Sequence, residues 1–315
     1  MADSARTTAE ALGLVPAVGF ALLVALLLGL VFAATDSVVL ASGRLSAAVE
    51  PVRITVRSLM EQRRTTLAPD ALLWRLGAAT VFVLALLSVA VIPITGASLV
   101  STSADLVWFN AAEALLWAAA WLVGWGPNAV HSLVGGYRFL AQGLGYELPL
   151  MFTLITTGIA GGSLRATDIV AAQADLWFVV TMPLAFVAFL ASGAAFAFWG
   201  PFAAPVGTDI AGGLRSELSG PDRLLLDGGR AVFLGATAAM ATALFLGGGA
   251  GPVLPDTAWY VLKTAVLMVV LVVAGRRLPV LRPDRFVEVG WMVLVPATLL
   301  QALVVALLTL AGVYR

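Results

Sequence analysis

The chain has no cysteine, a single lysine (Lys263) and a single histidine (His131) among 315 residues. Without thiols it can neither ligate an iron–sulfur cluster through cysteine nor form a disulfide, so any redox centre it serves sits on a partner. One histidine excludes a multi-histidine metal or haem site. Charge is also scarce. Charged residues make up 11% of the chain, against the quarter or so that a water-facing surface requires. Eighteen basic and eighteen acidic side chains balance to zero, so their placement carries more information than their sum.

What fills the chain instead is apolar: 61% hydrophobic residues and a mean hydropathy of +0.99. The apolar stretches run for roughly 20 residues without alternating, the pattern of membrane-spanning helices rather than barrel strands. In lipid such segments satisfy their own backbone groups only as helices. The expected fold is an all-α membrane protein forming one integral domain over residues 1–315. About eight spans are expected, near Leu12–Ala34, Leu72–Ile92, Leu106–Val123, Arg138–Ala160, Leu176–Phe198, Ala231–Leu246, Ala258–Ala274 and Val287–Ala311. The first has a mixed-charge polar head and no small-residue cleavage site, so it reads as a retained helix.

An even count puts both termini on one side. Fourteen arginines then fall in or beside the loops that follow odd-numbered spans, and only Arg6, Arg165 and Arg315 on the other side. The positive-inside rule places the arginine-rich loops in the cytoplasm of a cell-membrane protein, with both termini outside. Two of these loops are long. Residues 42–69 contain an amphipathic helix whose Val49, Val52, Val56, Leu59 and Met60 recur between arginines. It either lies on the headgroups or roofs a cavity in the bundle. Residues 199–227 are rich in glycine and proline and too polar to span, and are read as a junction with a partner.

Ionisable groups inside spans are expensive and point to function. Glu113 falls in the middle of the third span, Glu147 in the fourth and Lys263 in the seventh. A Glu113, Glu147 and Lys263 chain would offer a proton successive sites; Lys263 could equally serve helix carbonyls. Arg138 and Gln142 precede Glu147 on the same helix. At about 100° per residue, Glu147 lies roughly opposite Arg138, so the two share a cavity only if Gly143, Gly145 or Pro149 distorts the helix.

The run GGYRFLAQGLGYELPL at 135–150 resembles the signature of the NuoH-type membrane subunits of NADH-quinone oxidoreductase, the part of respiratory complex I that borders the quinone site. The resemblance continues through SLRATDIVAAQ (163–173), PF (201–202), IAGGLRSELSG (210–220), LFLGG (244–248), LKT (262–264) and RRLPVLRPDRFVEVGWMVLVP (276–296), covering roughly residues 70–300. It implies a proton-translocating oxidoreductase complex. Iron–sulfur and flavin centres would reside in a peripheral arm, antiporter-like membrane subunits would lie alongside, and quinone would be the substrate. It assigns Glu147, with Arg138 and Gln142, to the start of a charge relay. It assigns Asp209, Glu217 and the neighbouring Arg215 to the acidic loop beside the quinone, and Asp284 to the position before the last helix. Nothing in it implies nucleic acid.

The chain also departs from that pattern. Trp199 stands where the family has an arginine, Arg230 where it has a glutamate, and WGPFAAPVGTD (199–209) has lost several acids. The first long loop lacks the arginine- and glycine-rich stretch that admits quinone. These departures suit the alternative, the related membrane anchor of a nickel–iron hydrogenase or formate hydrogenlyase complex, which needs no quinone site. A stand-alone transporter would show an inverted repeat, and residues 1–150 and 151–315 show none. A scaffold that has lost coupling is the remaining alternative.

Overall fold

The computed structural model describes residues 14–94, 98–312 and 314. Among them there is no strand. Thirteen α-helices follow one another: α1 Leu14–Leu40, α2 Glu50–Met60, α3 Ala71–Ala90, α4 Asp105–Ala114, α5 Leu116–Trp125, α6 Val130–Gly161, α7 Ala166–Ala171, α8 Phe178–Thr181, α9 Pro183–Phe196, α10 Gly220–Phe245, α11 Asp256–Arg277, α12 Pro283–Val289 and α13 Val295–Leu310. Short 3-10 turns carry the chain from Gly200 to Arg215.

Six helical segments have the length and apolar character to cross a membrane. They are Val18–Leu40, Ala71–Ala90, Asp105–Trp125, Gly220–Phe245, Asp256–Arg277 and Pro283–Leu310. These correspond to six of the eight expected spans. The fourth falls on α6, which is 32 residues long but carries Arg138, Gln142 and Glu147. The fifth is split where Met182 leaves helical geometry ahead of Pro183, leaving α9 with 14 residues. Proline disfavours helical backbone at the residue before it, which accounts for the break.

α10 is the central post. From Val232 to Phe245 every residue is buried, and the run is dominated by Gly, Ala and Thr. Small side chains let neighbouring helices approach closely, which is how helices associate in lipid, where apolar burial alone gives little drive. Around α10 pack α1, α3, α9 and α11. α6 forms a second axis between α5, α9 and α13. It stops at Gly162, whose φ of +61° closes the helix in a left-handed cap.

α6 is also where the helix ladder is interrupted. Pro149 has no N–H, so the carbonyl of Gly145 loses its usual helical donor. That carbonyl meets Gly290, where any Cβ would collide with it. Gly290 opens a π-helical turn, Gly290–Leu294, between α12 and α13. One residue further on, the Trp291 indole N–H donates to the Leu144 carbonyl at 2.9 Å. The two irregularities therefore face each other, as π-turns tend to do near functional positions.

Candidate proton-relay site

Glu113 is fully buried near the end of α4, and its carboxyl adjoins Glu147 and Tyr146 of α6. Tyr146, also fully buried, adjoins Trp117 of α5. Asn110, one turn before Glu113, donates its side-chain N–H to Glu147 Oε1 at 3.4 Å. Among the described residues, both Glu113 oxygens, Glu147 Oε2, the Tyr146 hydroxyl and the Trp117 indole N–H complete no well-formed hydrogen bond. A cluster of ionisable groups in a low-dielectric interior holds together best when its members share protons and hydrogen bonds with one another. The α4–α5 junction at Leu115 and the ring of Trp117, pressed against Gly143, bring the two helices into register.

Below this cluster, α6 presents a ladder of anchored polar groups. Arg138, Gln142 and Tyr146 recur every fourth residue and share one face. Ser192 donates to the Tyr146 carbonyl at 3.3 Å. Gln142 Nε2 donates to the Ala195 carbonyl at 2.7 Å. Arg138 Nη1 donates to the Ala204 carbonyl at 3.2 Å, and Nη2 pairs with Asp209 Oδ2 at 2.6 Å. Arg138 and Gln142 thus face α9 and the loop that follows it, while Glu147 turns toward α4. The exposed Asp209 carboxyl is held below its ordinary range, chiefly by the hydrogen bond from Arg138.

The other expected residues lie elsewhere. Lys263 is not beside the carboxylates: its Nζ donates to the carbonyls of Leu246, Gly248 and Ala250 at 2.6, 3.0 and 2.7 Å, and lies 4.0 Å from the Trp177 ring centroid. It closes the turn after α10. Arg215 pairs with Asp227 at 2.9 Å. Asp284 is largely exposed beside Arg282, and Glu217 is half-buried just ahead of α10.

Other polar residues gain their meaning only in the fold. Asp227 gathers three arginines, Arg215, Arg223 and Arg230, at 2.9, 3.7 and 3.1 Å. The Arg230 guanidinium also donates to the carbonyls of Ala197 and Phe198, sealing the end of α9. The spacing of 223, 227 and 230 is a readable helical ion-pair signal. Buried Gln173 uses its amide on Ile169, Ala243, Phe178 and Gly247. Buried Asp105 accepts from Thr102 and Ala166. Among the described residues no cluster of three or more His, Cys, Asp or Glu could hold a metal ion.

Comparison with known proteins agrees with this architecture. A family model described as NADH dehydrogenase matches residues 43–306. An H-type subunit of the NADH-quinone oxidoreductase of Geobacter sulfurreducens is 34% identical over 267 residues, 81% of each chain. Its counterpart in the NADH-quinone oxidoreductase of Geobacillus kaustophilus is 31% identical over 265 residues, 82% of this chain and 79% of that one. A chain in the structure of an archaeal respiratory membrane complex, the membrane-bound sulfane sulfur reductase, has the same fold, with a TM-score of 0.80 at 18% identity over 92% of this chain and 98% of that one. With its signature runs, its helical membrane architecture and a family match across most of its length, the chain belongs to the NADH dehydrogenase family of membrane subunits.

Proposed function

We propose that the chain is the membrane subunit of a complex I-like oxidoreductase in which the Glu113–Glu147 pair begins a proton relay driven by redox chemistry in partner subunits. The observation that supports this is the adjacency of the fully buried Glu113 carboxyl and Tyr146 hydroxyl to the half-buried Glu147 carboxyl, which Asn110 holds. Two carboxylates this close in a water-poor interior repel each other strongly, so the pair favours sharing protons over holding two charges. A change in charge at the arginine-rich end of α6 would bias that sharing through the field and through the anchored ladder of Gln142 and Arg138, a coupling free energy between two sites. Electrons do not travel through this chain, which has no cysteine. They belong to iron–sulfur and flavin groups of a peripheral arm on the cytoplasmic, arginine-rich side. Quinone would border the loop that carries Trp199 and Asp209 and that Arg138 of α6 anchors.

Glu147→Gln and Glu113→Gln, each in the purified complex reconstituted into vesicles, test the relay. Each is expected to lower proton translocation per electron at least tenfold while assembly stays normal. Unchanged translocation in both would sink the proposal.

A second reading, an anchor of a hydrogenase-type complex without a quinone site, draws support from how firmly that loop is held. Trp199 donates to the Leu271 carbonyl at 2.9 Å and packs on Phe32, Leu281 N–H donates to the Pro201 carbonyl, and Arg230 binds Ala197 and Phe198. Quinone reduction that a tunnel-blocking inhibitor stops supports the first reading; hydrogen evolution without inhibitor sensitivity supports the second.

A further inference from the structure

We propose that Trp291 and Phe286 are positioning residues for Glu147: they hold α6 at its broken rung and so set how closely the Glu147 carboxyl approaches Glu113. The inference rests on the relay reading of that pair. Pro149 leaves the Gly145 carbonyl without a helical donor. The stretch from Gly145 to Pro149, which carries Tyr146 and Glu147, is therefore where α6 bends most readily. What steadies it comes from α12 and the π-turn. The Trp291 indole N–H donates to the Leu144 carbonyl at 2.9 Å, Gly290 lies against the Gly145 carbonyl, and a Cβ at Gly145 would meet the ring of Phe286. Consecutive residues of the π-turn thus meet consecutive residues of α6 in the opposite sense.

The geometry is that of a clamp. Glu147 is two residues beyond Gly145, about 200° around the helix, so it leaves α6 on the side away from α12. On that side Asn110 and Glu113 of α4 meet it. Movement of α6 at Gly145 toward α12 draws Glu147 away from Glu113, and movement the other way presses them together. Two further observations set this apart from ordinary packing. Trp291 is 50% exposed at the rim of the bundle, so its ring buries little and its bond to α6 is its main contact with that helix. Phe286, which is buried, also packs on Phe202 with ring centroids 4.6 Å apart, and the Leu281 N–H just ahead of α12 donates to the Pro201 carbonyl. α12 thus bears both on the loop that Arg138 anchors and on the break in α6, and a shift of that loop reaches Glu147 through it.

Infrared spectra of the purified full chain in light and heavy water read the carbonyl stretch of protonated carboxyls, and the part lost in Glu113→Gln or Glu147→Gln belongs to the pair. Trp291→Phe keeps an apolar ring at the rim but removes the donor. It is expected to shift the pair's band and, in the complex reconstituted into vesicles, to lower proton translocation per electron about threefold. Phe286→Leu, which takes the ring off Gly145, should shift the band as well. Pro149→Ala returns an N–H to the Gly145 carbonyl, so in that background Trp291→Phe should leave band and translocation where Pro149→Ala alone puts them. The unfolding midpoint of each variant in detergent is measured alongside. An unshifted band and unchanged translocation in Trp291→Phe and Phe286→Leu, with Glu147→Gln still failing to translocate, would overturn the inference and leave the relay standing. A loss that tracks a lowered midpoint and persists in full beside Pro149→Ala would make both residues structural supports only, and would overturn it too. Unchanged translocation in Glu147→Gln would remove the relay, and this inference with it.

Discussion

Glu113 and Glu147 come from separate helices, 34 positions apart in sequence, and the fully buried Glu113 carboxyl adjoins the half-buried Glu147 and the buried Tyr146. Because they form one unit, substitutions there should not add. Glu113→Gln and Glu147→Gln are each expected to remove most proton translocation, and the double variant to lose no more than the worse single one. A double variant whose loss equals the product of the two single losses would show that the carboxyls act independently.

Lys263 illustrates the opposite case, an intramembrane charge with complete partners. Lys263→Met leaves three carbonyls of the turn after α10 without their donor, at a cost of roughly 2–4 kcal/mol. The expected result is a lower unfolding midpoint and faster proteolysis between residues 246 and 254, with proton translocation per electron unchanged in the intact fraction. Lost translocation with normal stability would return Lys263 to the relay.

Gly290→Ala places a methyl group against the Gly145 carbonyl, and neither backbone can retreat without moving its helix. Overpacking of this kind costs about 1–3 kcal/mol. Thermal unfolding of the purified chain should show it, and the Trp291 environment should change, because its bond to Leu144 depends on the same approach. A midpoint equal to the wild type would mean that α6 and α12 are not locked together there.

Asp227→Asn leaves Arg215, Arg223 and Arg230 clustered without a carboxylate. Asp227 is partly exposed, so the expected loss lies below the roughly 3–5 kcal/mol seen when one partner of a fully buried pair is removed. Arg230→Met, which removes a charge as well as two bonds to the end of α9, should cost less in combination with Asp227→Asn than alone. Calorimetry on the four chains of this cycle measures the coupling.

The Arg138–Asp209 pair carries a pH signature. The folded carboxyl titrates below its unfolded value because Arg138 donates to it. Its contribution is therefore fully present above the ordinary carboxylate range, near pH 4, and is lost as pH falls through the lowered folded value. Asp209 is 61% exposed, so salt screens the pair and the effect is small. Amide protection in residues 200–215, taken relative to intrinsic exchange at each pH, should fall on acidification in the wild type and be lower, with little pH dependence, in Asp209→Asn. Identical profiles would show that the pair does not order the loop.

The membrane helices were legible because each is a long apolar run, a one-dimensional signal. α6 and α9 were the hardest to place: α6 dilutes its apolar run with Arg138, Gln142 and Glu147, and Pro183 shortens α9. Glu113 stood out as a carboxyl within an apolar segment. Its contact with Glu147 did not, because periodicity reports which face of a helix a residue occupies and not which helix it meets. For Lys263 the sequence left two readings open, relay member or partner of helix carbonyls, and the fold selects the carbonyls, which belong to the turn after α10 and have no side-chain signature. The Arg223, Asp227 and Arg230 spacing was readable along α10, whereas Arg215 joins it only through the fold.

Lys263 has one more consequence. It is the chain's one lysine, it is 7% exposed, and its amine is committed to three carbonyls. Apart from the terminal amine, the protein is therefore silent to amine-reactive cross-linkers, and distance maps of its assembly built on lysine chemistry will pass over it. Its neighbours have to be found through carboxyls such as Asp284 and Asp209, or through thiols introduced into a chain that begins with none.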